Sequence, residues 1–144
     1  MTLLVLDASV AAKWLVWAGE PLEAEALNLV ELRNQGELEF IVPDLFWSEI
    51  GNILCKAVRR NRCSEAAAKH SVLALRNYNL TTAASDPLLE SAFDIAQTHN
   101  RSFYDSLYIA LAVSRRGTLI TADEKLANAT AAYLPVKWLG SLSY

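Results

Sequence analysis

Short apolar runs alternate along the chain with longer segments whose apolar residues recur every three or four positions, and each run type predicts a different element. Leu3-Leu4-Val5-Leu6 is too short for a buried helix and ends in an acid, so it reads as a parallel strand with apolar side chains on both faces. Asp7-Ala8-Ser9 then offers two capping side chains to a helix over residues 10–15. A second helix is predicted over 23–34, stopped by Gly36, and a strand over 40–42. Pro43-Asp44 opens a long helix reaching about residue 60, and Ser64 caps another over 65–77. Residues 80–82 read as extended, and Asp86-Pro87 starts a helix reaching about 99. Ser102 begins a helix that runs through 116 and is ended by Gly117. A strand over 118–121, a short helix from Asp123 to about 131 and a last strand over 136–139 complete the pattern. Strands alternating with helices predict an α/β fold with a small parallel sheet covered on both faces.

At 144 residues the chain is expected to be one domain, 1–144, able to bury a core without a disulfide or structural metal. Its low Gly and Pro content and its apolar majority exclude disordered and low-complexity classes. The longest unbroken apolar run covers 107–113, far below the roughly 18 residues a membrane span needs. No basic segment precedes the first strand, so no signal peptide is expected and the domain is read as soluble and cytoplasmic. Cys55 and Cys63 lie outside any CxxC pattern and are expected to be reduced thiols. His70 and His99 lack a partner motif and are assigned structural or surface roles.

Four of the 16 carboxylates obey one positional rule. Asp7 directly follows the first strand, Glu49 lies in the first turns of the helix after the second, Asp105 lies in the first turn of its helix, and Asp123 stands just past the strand ending at Thr121. In open α/β sheets, ligands bind outside the carboxyl ends of the strands, so these acids are placed to converge there. Each also has a local alternative. Asp7 and Asp123 suit helix caps, Asp105 stands three residues after Ser102 as in a capping box, and Glu49 suits a solvated helix face. Gathered carboxylates raise one another's pKa unless a cation compensates. An oxygen-only set without histidine suits Mg²⁺ or Mn²⁺ better than zinc. The net charge of −3 would turn weakly positive without these four acids, so the acidity of the chain is concentrated in the candidate site.

The helix carrying Glu49 adds a direction. At about 100° per residue, Lys56 and Arg60 fall near the azimuth of Glu49, flanked by Asn52 and Arg59, while Ile50, Leu54, Ala57 and Val58 form the expected buried face. A phosphate backbone leading away from a metal centre accounts for this stripe. A solvated face whose cations suit the helix C-terminus accounts for it equally well.

Four stretches, in order, carry a family resemblance: Asp7-Ala8-Ser9-Val10-Ala11-Ala12-Lys13-Trp14, the segment from Pro43-Asp44-Leu45 through Ser48-Glu49-Ile50-Gly51-Asn52-Ile53-Leu54, Tyr104-Asp105-Ser106-Leu107-Tyr108-Ile109-Ala110-Leu111-Ala112, and Thr121-Ala122-Asp123-Glu124-Lys125-Leu126. Together they resemble PIN-domain proteins, in particular the VapC-type toxins of toxin–antitoxin pairs, over essentially the whole chain. The resemblance implies a PIN-like fold with four or five parallel strands flanked by helices. It implies a Mg²⁺-dependent endoribonuclease, with Mn²⁺ substituting, that leaves a 5′-phosphate and a 3′-hydroxyl. It also implies a cognate small antitoxin that blocks the active-site groove, an RNA substrate and a homodimer. Carried over by position, Asp7 and Asp105 are direct metal ligands, Glu49 completes the shell, and Asp123 serves a second metal or the attacking water. Ser9 and Thr121 match the polar positions that support the site, and Lys13 joins Asn52, Lys56, Arg59 and Arg60 as candidate RNA contacts.

Four other readings compete. Phosphotransferases with an aspartyl nucleophile carry a second Asp two residues on, where this chain has Ser9; a receiver domain could use Lys125 but lacks the acidic pair. A structure-specific DNA nuclease would use the same metal site, and an inactive module would only bind RNA or protein. Trp14, Trp17, Phe46 and Trp47 are expected in the core or an interface, with Trp14 and Trp17 alternatively lining a groove for an antitoxin helix. Val72, Leu73 and Leu75 are candidates for dimerisation.

Overall fold

Five strands form a single sheet: β1 (Thr2–Leu6), β2 (Leu38–Pro43), β3 (Thr81–Ala83), β4 (Thr118–Thr121) and β5 (Val136–Trp138). Their order is β3-β2-β1-β4-β5, and every neighbouring pair is parallel. The computed structural model describes residues 1–15 and 19–143, and Trp17 lies outside the described residues. Among the described residues, seven α-helices flank the sheet: α1 (Ala8–Ala11), α2 (Glu23–Asn34), α3 (Leu45–Arg59), α4 (Glu65–Arg76), α5 (Leu89–His99), α6 (Phe103–Ser114) and α7 (Glu124–Thr130). No helix among them is long and apolar enough to cross a membrane.

Leu4, Val5 and Leu6 are all buried, and successive strand residues point to opposite faces, so the central strand is covered on both sides. This explains why the first apolar run does not alternate with polar residues. Helix α6 is buried at every position from Ser106 to Ala112, the mark of a helix enclosed by other elements. It packs against α5 and against β1, β2 and β4. Phe46, Ile50, Leu54 and Ala57 form the buried face of α3, while Val58 is only half-buried.

Several boundaries differ from expectation for local reasons. The first helix is shorter, with α1 passing into a 3₁₀ turn over Ala12–Trp14. Pro43 does not open a helix but ends β2, in register with Ala83 at the sheet margin, where its missing N–H leaves no ladder bond unmade. Asp44 does not cap α3. Its carboxylate accepts from the backbone N–H of Ser85 at 3.0 Å and from the Ser85 hydroxyl, tying the start of α3 to the turn beyond β3. Asp86–Leu88 is a 3₁₀ turn that leads into α5, and Leu139 belongs to a 3₁₀ turn rather than to β5. After α6 the left-handed residue is Arg116 (φ 54°), not Gly117. Gly117 is required for another reason: a Cβ there would lie 2.9 Å from the carbonyl oxygen of Leu3.

Phe46, Trp47 and Trp14 serve packing. Phe46 is fully buried, and Trp47 packs edge-on to it while donating Nε1–H to Thr82 Oγ1 at 3.1 Å. Trp14 donates Nε1–H to the Ala26 carbonyl at 2.9 Å and packs against Phe40 and Tyr78. Leu75 belongs to the core and is removed from any dimer surface, Val72 is half-buried, and Leu73 is exposed. Cys55 and Cys63 are both free thiols.

Candidate functional site

The strand order places a topological switch between β1 and β4: the chain winds from β1 through β2 to β3 on one side, then from β4 to β5 on the other. The carboxyl end of the sheet at such a switch point is where open α/β folds take their ligands. Asp7 and Asp123 stand on the loops leaving β1 and β4. Four hydrogen bonds join them. The Asp7 N–H donates to the Ile120 carbonyl at 3.1 Å, and Thr121 Oγ1 donates to Asp7 Oδ2 at 2.8 Å while accepting the Asp123 N–H at 3.0 Å. Ser9 Oγ accepts the Ala122 N–H at 3.2 Å. Thr121 is fully buried, so its hydroxyl has one fixed assignment, with its proton on the Asp7 side and a lone pair on the Asp123 side.

The other two acids arrive on helices. The buried face of α3 leaves Glu49 half-buried beneath its N-terminal turns. Ser102 caps α6 by accepting the Asp105 N–H at 3.0 Å, which occupies the backbone of Asp105 and holds its residue at the helix mouth. Asp105 is half-buried and Asp123 exposed, so the crevice runs from protected to open.

The acids sense one another. Burial raises the pKa of Asp7; the hydroxyls of Thr121 and Ser9 oppose it and the charge of Asp105 adds to it. Burial also raises Glu49, opposed by the Tyr108 hydroxyl and reinforced by Asp7 and Asp105. Asp105 is raised first by burial, with Asp123 adding and the Ser102 hydroxyl and Arg101 charge opposing. All four acids are thus linked by mutual repulsion, and three are disfavoured as anions.

The local alternatives divide. Asp123 does cap its helix, with Oδ1 accepting the Leu126 N–H at 3.2 Å. Asp7 Oδ1 receives the Ser9 N–H only at 3.5 Å, a long contact that adds little. Glu49 is no solvated face residue: its Oε1 is buried, and the Tyr108 hydroxyl lies close enough to ease its charge although neither atom makes a hydrogen bond of good geometry. Among the described residues no three such side chains already form a finished ion cage, so ligation would require the carboxylates to turn toward a common point. The donor set fits a hard divalent cation: oxygen only, negatively charged, and with one buried carboxylate oxygen that makes no hydrogen bond of good geometry.

Of the candidate RNA contacts, Asn52, Lys56, Arg59 and Arg60 are exposed on α3 and Lys13 is half-buried. The basic stripe divides. Lys56 and Arg60 share a cleft of about 170 Å³ with Arg62, whereas Arg59 turns to a groove of about 520 Å³ between α3 and α4, alongside Lys69. Two residues beside the acids escaped the sequence reading. Arg101 is half-buried, donates Nε–H to the His99 carbonyl at 3.2 Å, and sets its charge near Asp105. Its only sequence signal was its place just before the cap Ser102. Tyr108 lies three residues after Asp105 on the same helix face, inside the 107–113 apolar run, so nothing in the sequence sets its hydroxyl apart from the core around it.

The family model described as the PIN domain matches residues 4–132. Ribonuclease VapC1 of Mycobacterium tuberculosis is 35% identical over 88 residues, which are 60% of this chain and 65% of that protein, so the chain spans just under two-thirds of that relative. Ribonuclease VapC3 of Pyrobaculum aerophilum is 32% identical over 127 residues, covering 87% of this chain and 92% of the relative. Among solved structures, PAE2754 from Pyrobaculum aerophilum superposes with a TM-score of 0.70 at 23% identity, covering 97% of this chain and 85% of that one. A toxin–antitoxin complex from Klebsiella pneumoniae gives a TM-score of 0.64 at 16% identity, covering 92% and 94%. The two structural likenesses bear on the fold.

Proposed function

This chain belongs to the PIN-domain family, and from that premise we propose that it is a divalent-metal-dependent endoribonuclease acting as the toxin of a toxin–antitoxin pair. The observation that carries the reading is the gathering of Asp7, Glu49 and Asp105, all disfavoured as anions by burial and by one another's charges, with Asp123 adding to the repulsion on Asp105. Such an arrangement costs stability unless a cation enters it. The names of the ribonuclease relatives support RNA as the substrate, and the fold shared with a toxin–antitoxin complex supports a small antitoxin as partner. On this reading the protein works in the cytoplasm, as a homodimer.

Asp7 and Asp105 are assigned as the residues that hold the ion, with Glu49 completing its shell. When bound, Mg²⁺ or Mn²⁺ supplies charge neutralisation at the phosphoryl oxygens and activation of a water at neutral pH. Thr121 keeps Asp7 oriented as an acceptor, and Ser9 keeps the β4 loop in register with the β1 loop. Asp123, exposed at the rim and held by its cap bond, orients the attacking water. Arg101, anchored on a backbone carbonyl, offers its remaining N–H donors to a phosphate entering beside Asp105. The exposed rings of Phe103 and Tyr104 at the same helix end suit stacking of an unpaired base. Lys56 and Arg60 then continue the contact with the phosphate backbone.

The test is cleavage of total cellular RNA by purified protein with Mg²⁺ or with EDTA, beside matched single-stranded DNA. Metal-dependent RNA cleavage lost in Asp7→Asn and Asp105→Asn, with circular dichroism unchanged, is the expected result. Undiminished cleavage by Asp7→Asn would remove the assignment, and preferential DNA cleavage would replace the substrate.

A further inference from the structure

We propose that Tyr108 is a positioning residue whose buried hydroxyl holds the Glu49 carboxylate in the orientation from which it meets a divalent cation. The inference rests on the metal-site reading above and extends it to a residue that makes no contact with the ion or the RNA.

Tyr108 is 2% exposed and sits in the middle of a helix whose other buried positions, Ser106 apart, are all aliphatic. Packing alone would be served by Phe, which fills the same space without a polar atom. A buried hydroxyl without a partner is costly, and native proteins leave few of them. The Tyr108 Oη makes no hydrogen bond of good geometry, and neither does Glu49 Oε1, although the two lie close enough to act on each other. One is a donor and the other an acceptor, and they are neighbours. The helix explains how they meet. Tyr108 lies one turn beyond Asp105 on the same face of α6, and its hydroxyl comes close to Glu49 of α3. Small side-chain rotations would bring the two atoms into good geometry.

The pairing has a directional consequence. A carboxylate has two oxygens, and fixing one against a donor commits the other to face outward. Carboxylates that bind metals are commonly held in this way, and removing the holding group weakens binding about 10–100-fold. A phenol is protonated at neutral pH, so the Tyr108 hydroxyl has a proton to donate to the carboxylate. Asp7 has its own holding group in Thr121, and Asp105 has Ser102. Glu49 lacks one unless Tyr108 provides it.

The experiment measures Mn²⁺ binding without RNA, by calorimetry or by the electron paramagnetic resonance of free Mn²⁺, in wild type, Tyr108→Phe, Glu49→Gln and the double variant. Tyr108→Phe is expected to fold, to melt at or above the wild-type temperature without metal, and to bind Mn²⁺ about 10-fold or more weakly. In the Glu49→Gln background the same change should cost nothing further, because its effect passes through the Glu49 carboxylate. Mn²⁺ should also produce a tyrosine absorbance difference in the wild type that disappears in Glu49→Gln, a signal that does not depend on Tyr108→Phe folding. Equal Mn²⁺ binding by wild type and Tyr108→Phe overturns the inference while leaving the metal site standing. An equal loss in both backgrounds overturns it too, since Tyr108 would then act by packing. Absence of Mn²⁺ binding to the wild type overturns the metal reading and this inference with it.

Discussion

Replacing Asp7 by Asn should stabilise the metal-free protein at neutral pH. The Asp7 carboxylate is densely surrounded by protein; it accepts from Thr121 Oγ1 at 2.8 Å, the Ser9 hydroxyl also eases its charge, and the Ser9 N–H is remote at 3.5 Å. Desolvating an ion costs several kcal/mol that excellent geometry must offset, and here repulsion from Asp105 adds to that cost. Asn keeps an oxygen for the Thr121 hydroxyl. It exchanges a charge-assisted bond for a neutral one and loses the weak Ser9 contact, together about 1 kcal/mol. A net gain of about 2 kcal/mol remains after several kcal/mol of relief, which for a chain of this size raises Tm by about 4–8 °C. The pH dependence fixes the sign. The Asp7 pKa in the folded state is raised above its ordinary 3.8, so between those values the folded state binds more protons than the unfolded. Wild-type stability therefore falls as pH rises from 3.8 through the raised pKa, and the advantage of Asn is absent at the acid end and complete at neutrality. Calorimetric melting in EDTA across that range measures it. With Mn²⁺ at about 100 times its Kd the order reverses, because the wild type alone gains about 2.7 kcal/mol from the ion. An Asp7→Asn protein that is folded but melts at or below the wild type in EDTA at neutral pH would refute the reasoning.

Lys56→Glu should raise the KM for RNA with little change in kcat, and should reduce the log–log salt dependence of binding by about one unit, read by titration over a salt series. Gly117→Ala places a Cβ 2.9 Å from the Leu3 carbonyl oxygen, which is backbone and cannot step aside. It should cost about 1–3 kcal/mol in urea unfolding without altering Mn²⁺ affinity. Ser64→Ala removes the acceptor of the Ala67 N–H at 3.1 Å and should cost about 1 kcal/mol by the same measurement.

What could be read from the residues differs by element. The central strand was legible because both of its faces are buried, leaving an uninterrupted apolar run, and Ser64 and Ser102 declared their helices because each cap accepts the N–H three residues on. Pro43 misled because a proline before a helix and a proline at a strand end look alike without the partner strand. Asp44 misled because its partner, Ser85, is distant in sequence and its role is tertiary. Among the four acids, position relative to strand ends carried real information, since strand ends at a switch point share one crevice. Their separate fates were not legible. Asp123 keeps its cap bond at the surface, while Glu49 loses solvent without gaining a hydrogen bond of good geometry, and both outcomes depend on neighbours that spacing does not reveal. Arg101 and Tyr108 were missed for the opposite reason: each stands next to a recognisable feature and was explained by it too soon.

The bond from Thr121 to Asp7 joins positions 114 residues apart. During synthesis the first carboxylate leaves the ribosome long before the strand that must lie beside it. A growing chain that ends short of β4 has Asp7, Glu49 and Asp105 but neither the hydroxyl that orients the first nor the loop that closes the crevice. Assembly of this end of the sheet therefore waits for β4 to pair with β1, and the four acids are gathered late and all at once.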